Sequence, residues 1–321
     1  MHNGRLGDFF GQWVPALSLG LLLAGCSVDQ KLPPGLPGPD PLVIGHAGSG
    51  FFTPINPFNP LPPNSRRSIV RALEAGADGI EVDVRLSQDS IAVLYHDGTL
   101  EGMSTGRGCV SQTPAATLVG LHYRGGWPYD WFQDERPQTL ETLLQLLRAR
   151  MSQTQTKFPY LHLDLHEDDP CASRNKARSR ALARALARLL TRYQVPPARV
   201  LILTDRAATL RYLAQQVPVG VDLGLEVGKD YDASVSLVKT LPEVNTVVLD
   251  KGKLTPDRVR QLKEMGRAVV VFGGRSAAAV NRVVAAGPEA YQVDDVDQLR
   301  TTLRQKAKAR QQQQQPPPEQ P

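Results

Sequence analysis

Several absences narrow what this 321-residue chain can be. Cysteine is scarce, with three residues in all, so the fold cannot rest on a disulfide framework and needs a hydrophobic core. Long apolar runs are missing: the best, Val14 to Ala24, is well short of the roughly 20 residues that cross a bilayer as a helix. Aromatic residues are few, at 6%, and are not interleaved with basic ones, which argues against nucleic acid as a partner. No short-period repeat appears, so a solenoid or propeller is not indicated.

What remains is a globular composition with atypical ends. With 41% hydrophobic and 21% charged residues the chain can bury a large core. The opening stretch "MHNGRLGDFFGQWVPALSLGLLLAGC" sets its apolar run directly before Gly25-Cys26 and resembles a bacterial lipoprotein signal, with Leu23-Ala24-Gly25-Cys26 as lipobox. That resemblance implies cleavage after residue 25, lipidation of Cys26 and a membrane attachment through the N-terminal lipid. Ser27 in place of Asp implies the outer membrane of an exported lipoprotein. Residues 27–41, rich in Pro and Gly, read as an extended tether. Residues 304–321, rich in Gln and Pro, read as a disordered tail. One domain is expected between them, over residues 42–303.

The net charge of +5 resides largely in that tail and in residues 173–193. There Arg180, Arg184, Arg188 and Arg192 recur every four residues opposite Leu182, Leu186, Leu189 and Tyr193, the pattern of an amphipathic outer helix with a solvated face. Contact with anionic lipid is the alternative.

Strand-like runs alternate with helix-like ones, which indicates a parallel sheet with helical crossovers. The strand candidates are 42–47, 79–84, 91–96, 160–166, 200–204, 219–227, 246–250, 268–274 and 290–295. Helices are expected at about 65–75, 138–150, 173–193, 207–216, 256–265 and 276–286, with Ser65 capping the first and Gly76 stopping it. The fold class is α/β, a (β/α)8 TIM barrel. An eight-stranded barrel needs one strand fewer than these candidates, so either the run at 219 or the run at 246 should be irregular or lie outside it.

Two of the strands carry charge where Val and Ile would be ordinary. Side chains alternate along a strand, so Glu81 and Asp83 share one face, and Ile80, Val82 and Val84 take the other. In the same way His162, Asp164 and His166 oppose Leu161, Leu163 and Leu165. Carboxylates aimed into one lumen repel and take up protons unless a cation compensates them. Glu81, Asp83 and Asp164 are therefore expected to bind a hard divalent ion, Mg²⁺ or Ca²⁺, with zinc second because the donors are mainly oxygen. His46 and His96 end strands, where a barrel gathers its reactive groups, and suit proton transfer near neutral pH.

These motifs, "HAG" at 46–48, "PPNS" at 62–65, "GADGIEVDV" at 76–84, "HDGTL" at 96–100, then "STGRGCVS" and "QTLETLLQLL", resemble the glycerophosphodiester phosphodiesterase family of the phospholipase C-like barrels. The likeness is specific over residues 42–147 and looser to about 300. It implies hydrolysis of a glycerophosphodiester to an alcohol and glycerol 3-phosphate, with His46 and His96 as acid and base and the metal on Glu81, Asp83 and Asp164. The small-molecule partner would be a glycerophosphodiester or a phospholipid headgroup. Two other readings stay open: a phospholipid-directed phosphodiesterase of the same superfamily, similar to sphingomyelinase D or phospholipases, and a non-catalytic surface lipoprotein.

Departures from the family pattern mark where transfer weakens. Ala47 replaces the arginine beside the first histidine, so a phosphate contact would pass to Arg85, Arg107 or Arg124. Asp164-x-His166 replaces a Glu-x-Lys, "FGGR" at 272–275 replaces Trp-Thr-Val-Asn, and Val293-Asp294 replaces Thr-Asp. Arg85 and His166 are accordingly the expected substrate-binding residues. Cys109 and Cys171 should hang over the C-terminal face from loops after neighbouring strands, and export would let them form a disulfide; two buried free thiols are the alternative.

Overall fold

A computed structural model describes residues 40–51, 61–125, 129–131, 133–172 and 175–314. The expected signal segment with Cys26, nearly all of the tether and the last seven residues lie outside them. Among the described residues ten strands follow in chain order: β1 (Leu42–Gly45), β2 (Gly79–Leu86), β3 (Ala92–Leu94), β4 (Gln138–Thr139), β5 (Tyr160–Leu165), β6 (Val200–Thr204), β7 (Asp222–Glu226), β8 (Thr246–Asp250), β9 (Ala268–Phe272) and β10 (Ala290–Val293). Eight of them, all but β3 and β4, pair in parallel, and β1 closes the ring by pairing with both β10 and β2. The fold is a (β/α)8 barrel.

The strand left out is not one of the two expected. Both the 219 and the 246 runs supply barrel strands, as β7 and β8, while the run at 91 becomes β3, antiparallel to β2 with Val84 opposite Leu94. The reason lies in the connection. Only five residues separate Leu86 from Ala92, and a parallel return needs a crossover of a dozen or more. Ser87 and Asp89 close a hairpin instead: the Ser87 N–H donates to the Ile91 carbonyl at 3.0 Å, and Ser90 turns the chain at φ +63°. The excursion between β3 and β4 builds its own small core from Val93, Tyr95, Leu100, Val110, Leu118 and Tyr123.

Outside the ring, helices cover the strands as the apolar periodicity requires. Helix 66–74 begins at Ser65, whose hydroxyl accepts from the Ser68 N–H at 3.2 Å, and ends before Gly76, left-handed at φ +90°. The arginine-bearing helix, Lys176–Arg192, buries Leu182, Leu186 and Leu190. The last helix runs Val296–Gln314, past residue 303, so residues 304–314 are helical where a disordered tail was expected. Its Ala, Gln, Lys and Arg residues are good helix formers, Leu299 and Leu303 anchor it in the core, and Lys306 pairs with Asp40 at 3.3 Å.

Ile80, Val82 and Val84, with Leu161, Leu163 and Leu165, join the large core between strands and helices. That outward packing turns their alternate neighbours into the lumen. Strand register sets Glu81 beside His162 and Asp83 beside Asp164.

Candidate active site

The site is assembled at the C-terminal mouth of the barrel from β1, β2, β5, β10 and the hairpin. Glu81 and Asp83 are almost wholly buried, and each is met by a group from the chain after β1. The Ala47 N–H donates to Glu81 Oε2 at 2.6 Å, aimed by a left-handed Ala47 (φ +46°). Asn64, also left-handed, donates from Nδ2 to Asp83 Oδ2 at 2.6 Å while its Oδ1 accepts from the Asp83 N–H at 3.0 Å. Asn64 was not among the expected site residues; its place in "PPNS", one of the resembling motifs, was the available signal.

Oxygens of Glu81, Asp83 and Asp164 all lie within 4.8 Å of one another. A second cluster of the same tightness, Asp83, His96 and His166, shares Asp83 with it. His166 Nε2 sits 2.8 Å from Asp83 Oδ1 and 3.5 Å from Asp164 Oδ2. Burial disfavours its charge, but the field and hydrogen bonds of Asp83 and Asp164 outweigh that and raise its pKa well above the ordinary histidine value. The same imidazolium, with lesser help from His96 and Asn64, holds Asp83 below the usual carboxylate range despite burial. Glu81 has no such neighbour on its second oxygen. Burial and the nearby Asp83 charge push it well above the usual range, and Oε1 is buried without a hydrogen-bond partner among the described residues. A buried, unsatisfied carboxylate oxygen beside two other carboxylates is the donor set of a hard divalent cation.

Each of the two expected proton-transfer histidines is paired through Nδ1 with a carboxylate. His46 meets Asp294 at 2.6 Å and His96 meets Asp97 at 2.7 Å. Burial would lower the His46 pKa, but the Asp294 hydrogen bond and the charges of Asp294, Glu81 and Asp83 raise it to about 9. Asp294 arrives from the far end of the chain, and the sequence offered only its place in Val293-Asp294. His96 packs against His166, ring centroids 4.8 Å apart.

The guanidinium of Arg85 is not open to substrate in the expected way. It is buried, and it donates to the carbonyls of His96 (2.8 Å), His166 (3.2 Å) and Asp168 (2.7 Å) and to Asp168 Oδ1 (3.0 Å). It therefore brackets the two loops that carry His96 and His166. Arg107 and Arg124 are exposed on the excursion after β3. Cys109 and Cys171 are joined by a disulfide, Cα atoms 6.1 Å apart, which ties these same loops across 62 residues of sequence. His162 lies deeper, hydrogen-bonded to Gln292 at 2.9 Å, and burial lowers its pKa to about 3. It belongs to the lumen and not to the mouth.

Residues 52–298 match the model of the Glycerophosphoryl diester phosphodiesterase family. The chain belongs to that family. A "Probable glycerophosphodiester phosphodiesterase 1" of Mycobacterium tuberculosis is 37% identical over 94 residues, 29% of this chain and 31% of that protein. A "Glycerophosphodiester phosphodiesterase" of Caldanaerobacter subterraneus is 39% identical over 107 residues, 33% of this chain and 40% of that one. The matched segments thus span well under two thirds of these relatives' length. In fold, an Oleispira antarctica phosphodiesterase solved with the product sn-glycerol-3-phosphate superposes with a TM-score of 0.64 at 21% identity, covering 83% of this chain and 97% of that one.

Proposed function

We propose that this protein is a metal-dependent phosphodiester hydrolase that cleaves glycerophosphodiesters, with water, to an alcohol and glycerol 3-phosphate. One observation carries the reading: two carboxylate-paired histidines flank a buried three-carboxylate cluster in which Glu81 Oε1 lacks a partner. Family membership and the glycerol-3-phosphate held by the Oleispira neighbour support it.

Glu81, Asp83 and Asp164 would hold Mg²⁺ or Ca²⁺, which when bound neutralises charge on the phosphoryl oxygens and polarises phosphorus toward attack. His46, with Asp294 on Nδ1 and a pKa of about 9, carries a proton at neutral pH and donates it from Nε2 to the departing alkoxide oxygen. His96, with Asp97 on Nδ1, accepts through Nε2 the proton of the attacking hydroxyl, either of water directly or of the glycerol itself, in which case the cyclic phosphate that forms is opened by water in a second step to give glycerol 3-phosphate. His166, set between Asp83 and Asp164, supplies positive charge where Ala47 and the committed Arg85 do not. Attachment to a membrane through lipidated Cys26 would put the enzyme where glycerophosphodiesters are released from phospholipids.

The test is product analysis. Incubation with glycerophosphocholine should yield choline and glycerol 3-phosphate in equal amounts. Choline phosphate and glycerol would contradict the assigned bond, and choline released from intact phosphatidylcholine at a comparable rate would favour the phospholipid-directed reading.

A further inference from the structure

Phe51 packs against both histidines. Its ring centroid lies 5.0 Å from that of His46, tilted, and 4.9 Å from that of His96, edge-on. The imidazoles are therefore no farther apart than those two separations combined, and one phenyl ring touches both. The backbone imposes this placement. Gly50, left-handed at φ +89°, lies so close against the Asp294 backbone that a Cβ there would collide with it, and its N–H donates to the His46 carbonyl at 2.8 Å. One residue on, the Arg275 guanidinium donates to the Phe51 carbonyl. Asp294, which pairs with His46, thus also fixes the turn that presents Phe51. Phe272, from the end of β9, adds a third ring 5.9 Å from His46.

A ring in contact with both imidazoles limits what can lie between them. It also restricts their rotation, so that each Nε2 keeps one direction. Both effects bear on the ester arms of a bound diester.

We propose that Phe51 determines substrate size: packed against both His46 and His96, its ring narrows the approach to them, so that phosphodiesters with small polyol or amino-alcohol arms reach both imidazoles and diesters with bulky apolar arms do not. The inference rests on the phosphodiester hydrolase reading above. Its test compares glycerophosphocholine with bis(p-nitrophenyl) phosphate, whose flat aryl arms would compete for the place of the Phe51 ring. Phe51→Ala should lower kcat on glycerophosphocholine about 10-fold with a smaller change in KM, and shift the kcat/KM ratio toward the aryl diester at least about 10-fold. Phe51→Tyr should restore the wild-type ratio. If Phe51→Ala does not fold, as judged by its thermal transition, Phe51→Leu is measured in its place, with a shift in the same direction expected.

Equal loss on both diesters, or an unchanged ratio, would overturn the inference while leaving the hydrolase reading intact. A wild-type protein that cleaves neither diester with metal present would overturn both.

Discussion

The two sides of the barrel lumen are both largely buried, with Asp164 the partly exposed member, and chemically unlike. On β2 and β5 the inward positions hold Glu81, Asp83, His162 and Asp164; on β6, β8 and β9 they hold Leu201, Leu203, Val248 and Val270. Glu81 is 1% exposed and Leu203 2%. Solvent access therefore does not explain the difference. The apolar side fills the barrel as packing alone would dictate. On the polar side a carboxylate cluster costs stability unless something compensates it, and the protein compensates only part: His166 for Asp83, a single backbone N–H for Glu81. A region that stays under-compensated in a well-packed core is arranged for a ligand.

Substitutions should separate the two sides. The largest effect is expected from Asp83→Asn, which keeps shape and removes charge. It should abolish divalent-ion binding by calorimetry and lower the diesterase rate by about 10³-fold, and lower the thermal transition of the metal-free protein as well, because His166 loses the buried charge it pairs with. Next come His46→Ala and His96→Ala, each expected to lower kcat by about 10²-fold or more. Near-normal rates in both would reduce these residues to hydrogen-bonding roles. On the apolar side Leu203→Ala should do the reverse, costing about 2–5 kcal/mol in urea unfolding while leaving kcat per folded molecule near wild type. A large activity loss there at full stability would erase the distinction between the sides.

The smallest effect concerns His162, which is polar by sequence but serves the lumen. Burial lowers its pKa from 6.5 to about 3, so it stays neutral in the folded protein while the unfolded chain takes up a proton below about pH 6.5. Folding stability from this group is complete above that pH and declines as pH falls toward 3, by up to about 1.4 kcal/mol per unit. His162→Gln, able to bond Gln292, should flatten this limb, so that the loss between pH 7 and pH 5 in urea midpoints is about 2 kcal/mol smaller than in wild type. Parallel pH curves would contradict the assignment.

What could be read from sequence follows the same division. Strand alternation is local, so the inward sets Glu81/Asp83 and His162/Asp164 were legible from period-two patterning alone. Partners supplied by distant chain were not: Asn64 comes from the loop before a helix, Asp294 from just past the last strand, and Phe51 from a turn that depends on Gly50 fitting against Asp294. The surroundings of Arg85 were not legible either: a guanidinium on an inward register can serve substrate or backbone carbonyls, and only the tertiary structure shows three carbonyls around it. The 91–96 run was misassigned although its signal was present. A link as short as Ser87–Ile91 permits a hairpin and not a parallel crossover.

The central claim is that the polar side of the lumen is a divalent-cation site on which phosphodiester cleavage depends. Glycerophosphocholine hydrolysis by chelator-treated protein, before and after addition of Mg²⁺ or Ca²⁺, tests it most directly. The account predicts negligible rate without metal, recovery with one of the two ions, and no recovery in Asp83→Asn; full activity in chelator would contradict it.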